Sequence, residues 1–137
     1  MILTFSTKGN TYILDITEQV QEAVTQEKLE EGVVVLFVSG STAALTTIET
    51  DINLYDDFRE VLEKIIPMGK SWKHHETWGD DNGGSHLRAS LIGPSLSIPV
   101  VNGKMVLGTW QKIVLIDFDT SSRQRKVVVS LLHNKTG

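Results

Sequence analysis

The six residues from Val33 to Val38 constrain the fold of this chain more than any other segment. All six are apolar, and most of them are β-branched. A short, continuous run of this kind is typical of a strand that is buried on both faces of a sheet. The chain length of 137 residues is enough to bury a sizeable core in one domain. We therefore expect a single domain, residues 1–137, that includes this strand.

The order of the other segments predicts the α+β class. The remaining predicted strands are Ile2–Thr7, Thr11–Ile16, Leu96–Val101, Met105–Leu107, Ile113–Phe118 and Lys126–Leu132. The two main helices are predicted at Glu18–Glu31, ended by Gly32, and at Tyr55–Ile66, followed by Pro67. A shorter helical segment is expected from His86 to Ile92. Together these elements predict a large, mostly antiparallel mixed β-sheet with two main helices.

Two glycine-containing turns predict hairpins. Gly9 and Asn10 lie between the first two predicted strands. Asn102 and Gly103 lie between two later apolar runs, and Asn-Gly in such a position is the strongest short hairpin signal. We expect the strands on either side of Asn102-Gly103 to pair antiparallel.

Composition excludes several classes of function. The chain has no cysteine, so disulfides, thiolate catalysis and cysteine-ligated metal sites are excluded. The net charge of −4 and the absence of any block of basic residues argue against nucleic acid as a partner. No apolar run approaches the roughly 18 residues of a membrane span, and no secretion signal is visible at the N-terminus. We expect a cytoplasmic protein with neither membrane nor nucleic-acid partners.

The segment from Met68 to Ser85 is the strongest candidate for chemistry. It is long, polar and glycine-rich, and together with the next residue it holds three of the four histidines, His74, His75 and His86. Three acidic residues occur in the same stretch: Glu76, Asp80 and Asp81. Imidazole and carboxylate groups bind divalent metals and also transfer protons. The spacing matches no standard zinc motif, so a metal site, an acid–base site and a polar surface loop all remain open.

Three further groups of polar residues are weaker candidates. Ser41 and Thr42 lie in a Ser- and Thr-rich segment directly after Val33–Val38, where a turn can bind a phosphate through hydroxyl and N–H groups. Gln111 follows Gly108-Thr109-Trp110 between two apolar strands and has no evident structural role. Arg123 and Arg125 stand near the start of the last strand, where a solvated strand end is the commoner interpretation.

Four motifs in order along the chain resemble one known family. The motifs are Ser41 to Glu49, His74 with Thr77 to Asn82, Ser85 to Ser95, and Gly108 to Gln111. They are similar to the YjbQ family, also called UPF0047 or the secondary thiamine-phosphate synthase enzyme family. The resemblance extends over nearly the whole chain.

The resemblance implies a homotrimer with sites near subunit boundaries. It also implies a weak thiamine-phosphate synthase activity, with another physiological role possible. Polar positions of the family motifs match the catalytic candidates His74, Asp80, Ser85, His86 and Gln111, and also Glu49. Two departures stand out, because the family often has histidine where this chain has Gly40 and Gly84.

Three hypotheses for the function follow. The first is an enzyme of the thiamine-phosphate synthase type, which acts on phosphorylated small molecules and stabilises a leaving diphosphate. Ser41, Thr42 and Arg88 are the candidates for holding phosphate. His74, His86 and an acid such as Asp80 or Glu49 are the candidates for holding a divalent metal (zinc, iron, manganese or magnesium) that stabilises the diphosphate. The second hypothesis is a metal-dependent hydrolase of unknown substrate. The third is a trimer without catalytic activity that binds a small anionic metabolite.

Overall fold

The computed structural model describes residues 1–135, so the last two residues of the predicted domain lie outside the described part. Its helices and strands follow one another in the order β1 (Ile2–Thr7), β2 (Tyr12–Asp15), α1 (Thr17–Gln26), β3 (Gly32–Ser39), β4 (Ala43–Ile48), α2 (Ile52–Ile65), α3 (His74–Trp78), α4 (Gly83–Ile92), β5 (Ser95–Val101), β6 (Lys104–Met105), β7 (Lys112–Asp117) and β8 (Arg123–His133). None of the helices in this range is long and apolar enough to cross a membrane.

The strands of the described chain form two antiparallel sheets. One has five strands in the order β1-β8-β3-β5-β6, and the other has three in the order β2-β7-β4. The α+β class is confirmed, but the single large mixed sheet that we predicted is replaced by two sheets in which neighbouring strands are antiparallel. Gly9-Asn10 is not a hairpin turn, because β1 pairs with β8 whereas β2 pairs with β7.

Strand β7, rather than β3, is the strand buried on both faces. On one face Ile113 and Leu115 join α1 and the five-stranded sheet in the main core. On the other, Val114 and Ile116 pack in a second apolar cluster with residues of α2 and α4. The three-stranded sheet therefore lies between two apolar layers, and α4 is held against it.

The prediction for Val33–Val38 was correct in type but wrong in burial. In β3, Val34, Leu36 and Val38 are fully buried, whereas Phe37 on the opposite face is 47% exposed. Alternation of this kind belongs to an antiparallel sheet with one open face. The outward-facing residues of this strand, Val33, Val35 and Phe37, are also apolar, which explains why the sequence run is continuous.

Helix α1 ends five residues before the predicted end. Lys28 has a left-handed backbone with φ of 55°. The N–H of Leu29 bonds to the carbonyl of Val24, and the N–H of Lys28 bonds to that of Thr25. This pair of bonds is the Schellman motif, and the buried Leu29 supplies its usual apolar contact.

The turn at Asn102-Gly103 is confirmed. Both residues have left-handed φ values, 51° and 75°, as a type I′ turn requires. Val101 pairs with Lys104 on the two sides of the turn. The Ser- and Thr-rich segment before Ile48 is a turn only as far as Thr42, because β4 begins at Ala43 and pairs with β7.

Candidate functional site

Helices α3 and α4 bring two of the predicted histidines together. His74 begins α3, and His86 lies in the first turn of α4. The centroids of their imidazole rings are 4.7 Å apart, and the rings meet edge to face at 67°. The apolar cluster beneath α4 fixes the position of His86, because Ala89, one turn after His86 on the same helix, is buried in that cluster.

A carboxylate adjoins this pair. Gly79 ends α3 in a left-handed conformation with φ of 69°, which turns the chain back on itself. Nε2 of His74 then lies 3.5 Å from Oδ1 of Asp80. Since a carboxylate beside an imidazole orients the ring and selects its protonated nitrogen, Asp80 is placed to position His74.

His75 takes part in a different contact. The backbone N–H of Gly83, the first residue of α4, donates to Nε2 of His75 at 3.2 Å. Successive residues of a helix point about 100° apart, so His74 and His75 serve different sides of α3. His75 thus ties α3 to the start of α4 and stands away from the His74–His86 pair.

A pocket of about 600 Å³ contains both paired histidines. Its wall is formed by Lys70, Ser71, Trp72, Lys73, His74, Gly83, His86 and Leu87. Two of these residues carry positive charge, and none carries a carboxylate. Trp72 and Leu87 give the pocket a largely apolar surface. These groups suit a small molecule that combines an apolar part with an anionic part.

Ser85 and Arg88 are not in this pocket, contrary to the sequence-based expectation. The Ser85 hydroxyl is fully buried and donates to the carbonyl of Phe118. The buried Arg88 guanidinium donates to the carbonyl of Ile66, to Thr11 and to Glu63. Both side chains hold α4 against neighbouring segments, because a helix lying on a sheet must satisfy the polar groups that it buries.

Gln111 and Glu49 also lie outside the pocket wall. The side chain of Gln111 accepts a bond from the N–H of Gly108 and donates to Thr47. It therefore closes its own loop and ties that loop to β4, a structural role that the sequence did not reveal. Glu49 is exposed and follows directly after β4.

Ser41 and Thr42 have separate environments. Ser41 lines another cavity, of about 400 Å³, together with Ala89 and Ser90. Thr42 is buried, accepts a bond from Arg125 and donates to Asp119. The turn that we expected to bind phosphate is thus divided between a surface cavity and a buried polar network.

That network centres on Arg125, which sequence reasoning left as a solvated strand end. Arg125 makes two bonds of 2.8 Å to Asp117, whose carboxylate also accepts from Thr7. Burial opposes ionisation of Asp117, but the bonds from Arg125, Thr7 and the Asp119 N–H outweigh it and lower its pKa. The pKa of Asp119 is lowered as well, because bonds from its neighbours again outweigh the effect of burial.

The two glycines at the family's histidine positions are closely packed. A Cβ on Gly84 would lie 2.7 Å from the sulfur of Met68, and one on Gly40 would lie 2.7 Å from Nη1 of Arg125. Gly40 also has a φ of 144°, which L side chains rarely adopt. A larger residue at either place requires its neighbours to move.

The donors near His74 do not form a recognisable metal site. Within residues 1–135, no group of three or more His, Asp or Glu side chains has the geometry to hold a metal ion. Glu49, the third ligand expected from the sequence, is not in the wall of the histidine pocket. The arrangement does offer two imidazoles and a carboxylate for proton transfer.

Comparison with known proteins identifies the family. The model of the family described as "UPF0047 protein YjbQ-like" matches residues 1–134. The chain belongs to this family. It is 39% identical to a UPF0047 protein of Archaeoglobus fulgidus over 132 residues, 96% of this chain and 100% of that relative. A UPF0047 protein of Methanothermobacter thermautotrophicus is 35% identical over 94% of this chain and 88% of its own.

Solved structures of UPF0047 relatives share the fold. An uncharacterized YjbQ/UPF0047 protein from Clostridium acetobutylicum superposes with a TM-score of 0.87 at 34% identity, covering 96% of this chain and 99% of its own. A YbjQ-like protein of unknown function from Sulfolobus solfataricus gives a TM-score of 0.88 at 31% identity, covering 98% and 97%. The descriptions of these relatives name no activity.

Proposed function

We propose that this UPF0047 protein is an enzyme that binds a small phosphorylated molecule in the histidine pocket and transfers a proton to it or from it. The observation that carries the proposal is the edge contact between His74 and His86 beside Asp80, in a pocket with two lysines and no acid in its wall. Histidine is the side chain most often used for proton transfer near neutral pH.

Each group has a distinct task in this scheme. Asp80, with Oδ1 3.5 Å from Nε2 of His74, orients the His74 ring, and His74 and His86 are the proton donor and acceptor. Lys70 and Lys73 attract the phosphate, while Trp72 and Leu87 pack against the apolar part of the molecule. The Lys70 ammonium already lies 4.4 Å from the centre of the Trp72 ring, so it stands at the pocket wall.

A condensation of the thiamine-phosphate synthase type fits this scheme. The bond between a methylene carbon and diphosphate breaks, and the electron pair leaves with the diphosphate. A thiazole nitrogen supplies the pair that forms the new carbon–nitrogen bond. An imidazolium donates its proton to the departing diphosphate, and the lysines stabilise the negative charge that develops there. No step in this scheme passes through a metal ion.

The test is turnover by the purified protein on a panel of phosphate esters and on the pyrimidine diphosphate plus thiazole phosphate pair. We expect His86→Ala to lower turnover by about 10²–10⁴-fold, the usual contribution of a proton-transfer residue. His133→Ala is the matched control, because His133 is exposed at the far end of β8. Equal turnover by the two variants would refute the proposal.

The same panel separates the other two hypotheses. A metal-dependent hydrolase loses turnover with a chelator and regains it with Zn²⁺, Mn²⁺, Fe²⁺ or Mg²⁺. A binder without catalytic activity gives saturable binding of diphosphate that His86→Ala weakens, with no turnover on any substrate. The proposed enzyme turns over substrate in the presence of chelator.

We also propose that the chain assembles as the homotrimer expected from the family resemblance. The proposal is supported by an apolar patch on the outer face of the five-stranded sheet, where Ile2 lies opposite Val128 and Val128 lies opposite Phe37. In the single chain Ile2 is 59% exposed and Phe37 is 47% exposed. Light scattering should give three times the 15.2 kDa of one chain, and a monomer mass at micromolar concentration would contradict it.

A further inference from the structure

A second and larger cavity lies beside the segment that carries His74. It measures about 880 Å³ and is separate from the pocket around His74 and His86. Lys70 and Ser71 line both cavities, whereas His74 lines only the first and His75 only the second. The segment from Met68 to Asp81 therefore forms a shared wall between two cavities with different chemistry.

The charges in the second cavity are balanced. Its wall includes three basic residues and three acidic residues: Arg59, Lys70, Arg88, Glu60, Glu63 and Asp81. Glu63 pairs with Arg88 at 2.7 Å, and Glu60 pairs with Lys64 on its own helix at 3.3 Å. In the histidine pocket, by contrast, both charged residues are lysines. A wall with charges of both signs favours a ligand that also carries both signs.

The back of the cavity is rigidly built. Thr11 has a left-handed backbone with φ of 59°, which is a strained conformation for a β-branched residue. Two arginines hold it there, since Nε of Arg59 donates to the Thr11 carbonyl and Nη1 of Arg88 donates to the Thr11 hydroxyl. Strained residues that are held in this way cluster at ligand sites.

We infer that this cavity is a second binding site, and that its ligand is a small zwitterion with one anionic and one cationic group. Lys70 and the remaining N–H groups of Arg59, whose Nη1 also pairs with Asp56 at 3.2 Å, face the anionic group, and Asp81 faces the cationic group. The volume lies within the 300–1,000 Å³ typical of small-molecule sites, and it exceeds that of a single amino acid. A short peptide with free termini has the required size and charges.

Four probes of nearly equal size test this inference on the full chain. They are triglycine, N-acetyl-triglycine, triglycine amide and N-acetyl-triglycine amide, which carry both charges, only the anion, only the cation and no charge. We expect triglycine to bind at least tenfold more tightly than any blocked form, measured by chemical-shift titration of backbone amides. Equal binding of all four, preference for the anion alone, or no saturable binding up to about 10 mM would overturn the inference.

Two variants locate the binding. Asp81→Asn and Arg59→Gln should each weaken triglycine binding about tenfold, the effect of losing one charged contact. Asp81 is exposed, so its variant keeps the fold even if Arg59→Gln disturbs Thr11. Asp57→Asn is the control, since Asp57 is exposed on the same helix as Arg59 and is not in the cavity wall. Unchanged affinity in both Asp81→Asn and Arg59→Gln would contradict the location.

The inference does not rest on the proposed enzyme activity, although Lys70 lines both cavities. Triglycine should shift the imidazole signals of His75 and leave those of His86 unchanged. A shift of His86 instead would place the peptide in the histidine pocket and overturn the second site. Failure of phosphate-ester turnover, by contrast, leaves the titration with triglycine unaffected.

Discussion

Charged and polar side chains gather in two places in this molecule, and the two differ in how fully their groups are used. Around Arg125, the side chains of Asp117, Thr42 and Asp119 are buried, and they bond mainly to one another. Around His86, the two imidazoles are partly exposed and line a cavity, and Asp80 lies beside His74 outside the cavity wall. The polar groups around Arg125 use their hydrogen bonds within the fold. The imidazoles around His86 remain accessible to a ligand.

The comparison shows how a structural polar cluster differs from a candidate site. The Asp117 carboxylate is held ionised, with a lowered pKa, by bonds that outweigh its burial. All the bonds to this carboxylate come from groups within the protein, so it stabilises the fold. The two regions touch at Asn82, whose amide nitrogen lies 3.4 Å from Oδ1 of Asp119. The network thereby supports the start of the helix that carries His86.

The largest expected effect is on stability, at the Arg125 network. Asp117→Asn leaves the buried Arg125 without its main counter-charge, which costs about 3–5 kcal/mol in such pairs. The free energy of unfolding, measured in urea at pH 7, should fall by that amount. His86→Ala serves as the comparison and should change it by less than about 1 kcal/mol. If the two variants lose equal stability, the distinction between the regions fails.

A smaller loss of stability is expected from Thr42→Val. The change removes a hydroxyl that bonds to Arg125 and Asp119, so an N–H of Arg125 loses its acceptor, whereas Asp119 keeps its bond from Arg123. The expected cost is about 1–3 kcal/mol, because an unsatisfied buried group costs that much. Diphosphate binding to the folded variant should be unchanged. A loss of binding would show that Thr42 takes part in ligand binding.

Asp80→Asn should lower turnover but leave stability nearly unchanged, the opposite of Thr42→Val. An amide keeps the size of the side chain but removes the charge that orients His74, so turnover should fall about tenfold. Stability should stay within about 0.5 kcal/mol, since Asp80 is exposed. Asp57→Asn is a matched control on an exposed helix position away from the pocket. A loss of stability without loss of turnover would place Asp80 with the structural groups.

The smallest effect is a dependence of stability on acid pH. The pKa values of Asp117 and Asp119 in the folded chain are below the ordinary value of 3.8, so the unfolded chain binds more protons in this range. Their stabilisation is complete above that value and is lost as the pH falls below it. Unfolding free energies between pH 5 and about pH 2 should decline less steeply in Asp117→Asn than in the parent. Identical slopes would show that the Asp117 carboxylate is not held ionised.

Much of the fold could be predicted from the sequence, because local patterns fix local structure. The type I′ turn follows from Asn102-Gly103, since only residues that tolerate positive φ fit it. Burial could not be predicted, because β3 and β7 have similar apolar runs. Which of the two lies between layers depends on the distant strands and helices that cover them. Lys28 ended α1 without a glycine signal, so the helix was predicted too long.

Only those residues of the candidate site could be predicted whose chemical type alone indicates a role in binding or catalysis. Imidazoles and a carboxylate in one segment drew attention to His74, Asp80 and His86. For Ser85 and Arg88 the sequence could not show that partners from other segments already use their hydrogen bonds. Tertiary contacts therefore decide which polar residues are already hydrogen-bonded within the fold and which can contact a ligand.

A histidine-specific NMR titration tests the central claim most directly. Inorganic diphosphate is added to the full chain, and the imidazole C–H signals of all four histidines are followed. The account predicts saturable shifts of His74 and His86, while His75, which lines the other cavity, and the exposed His133 stay in place. Saturable shifts at His75 alone, or no saturable shift at His74 and His86, would contradict it.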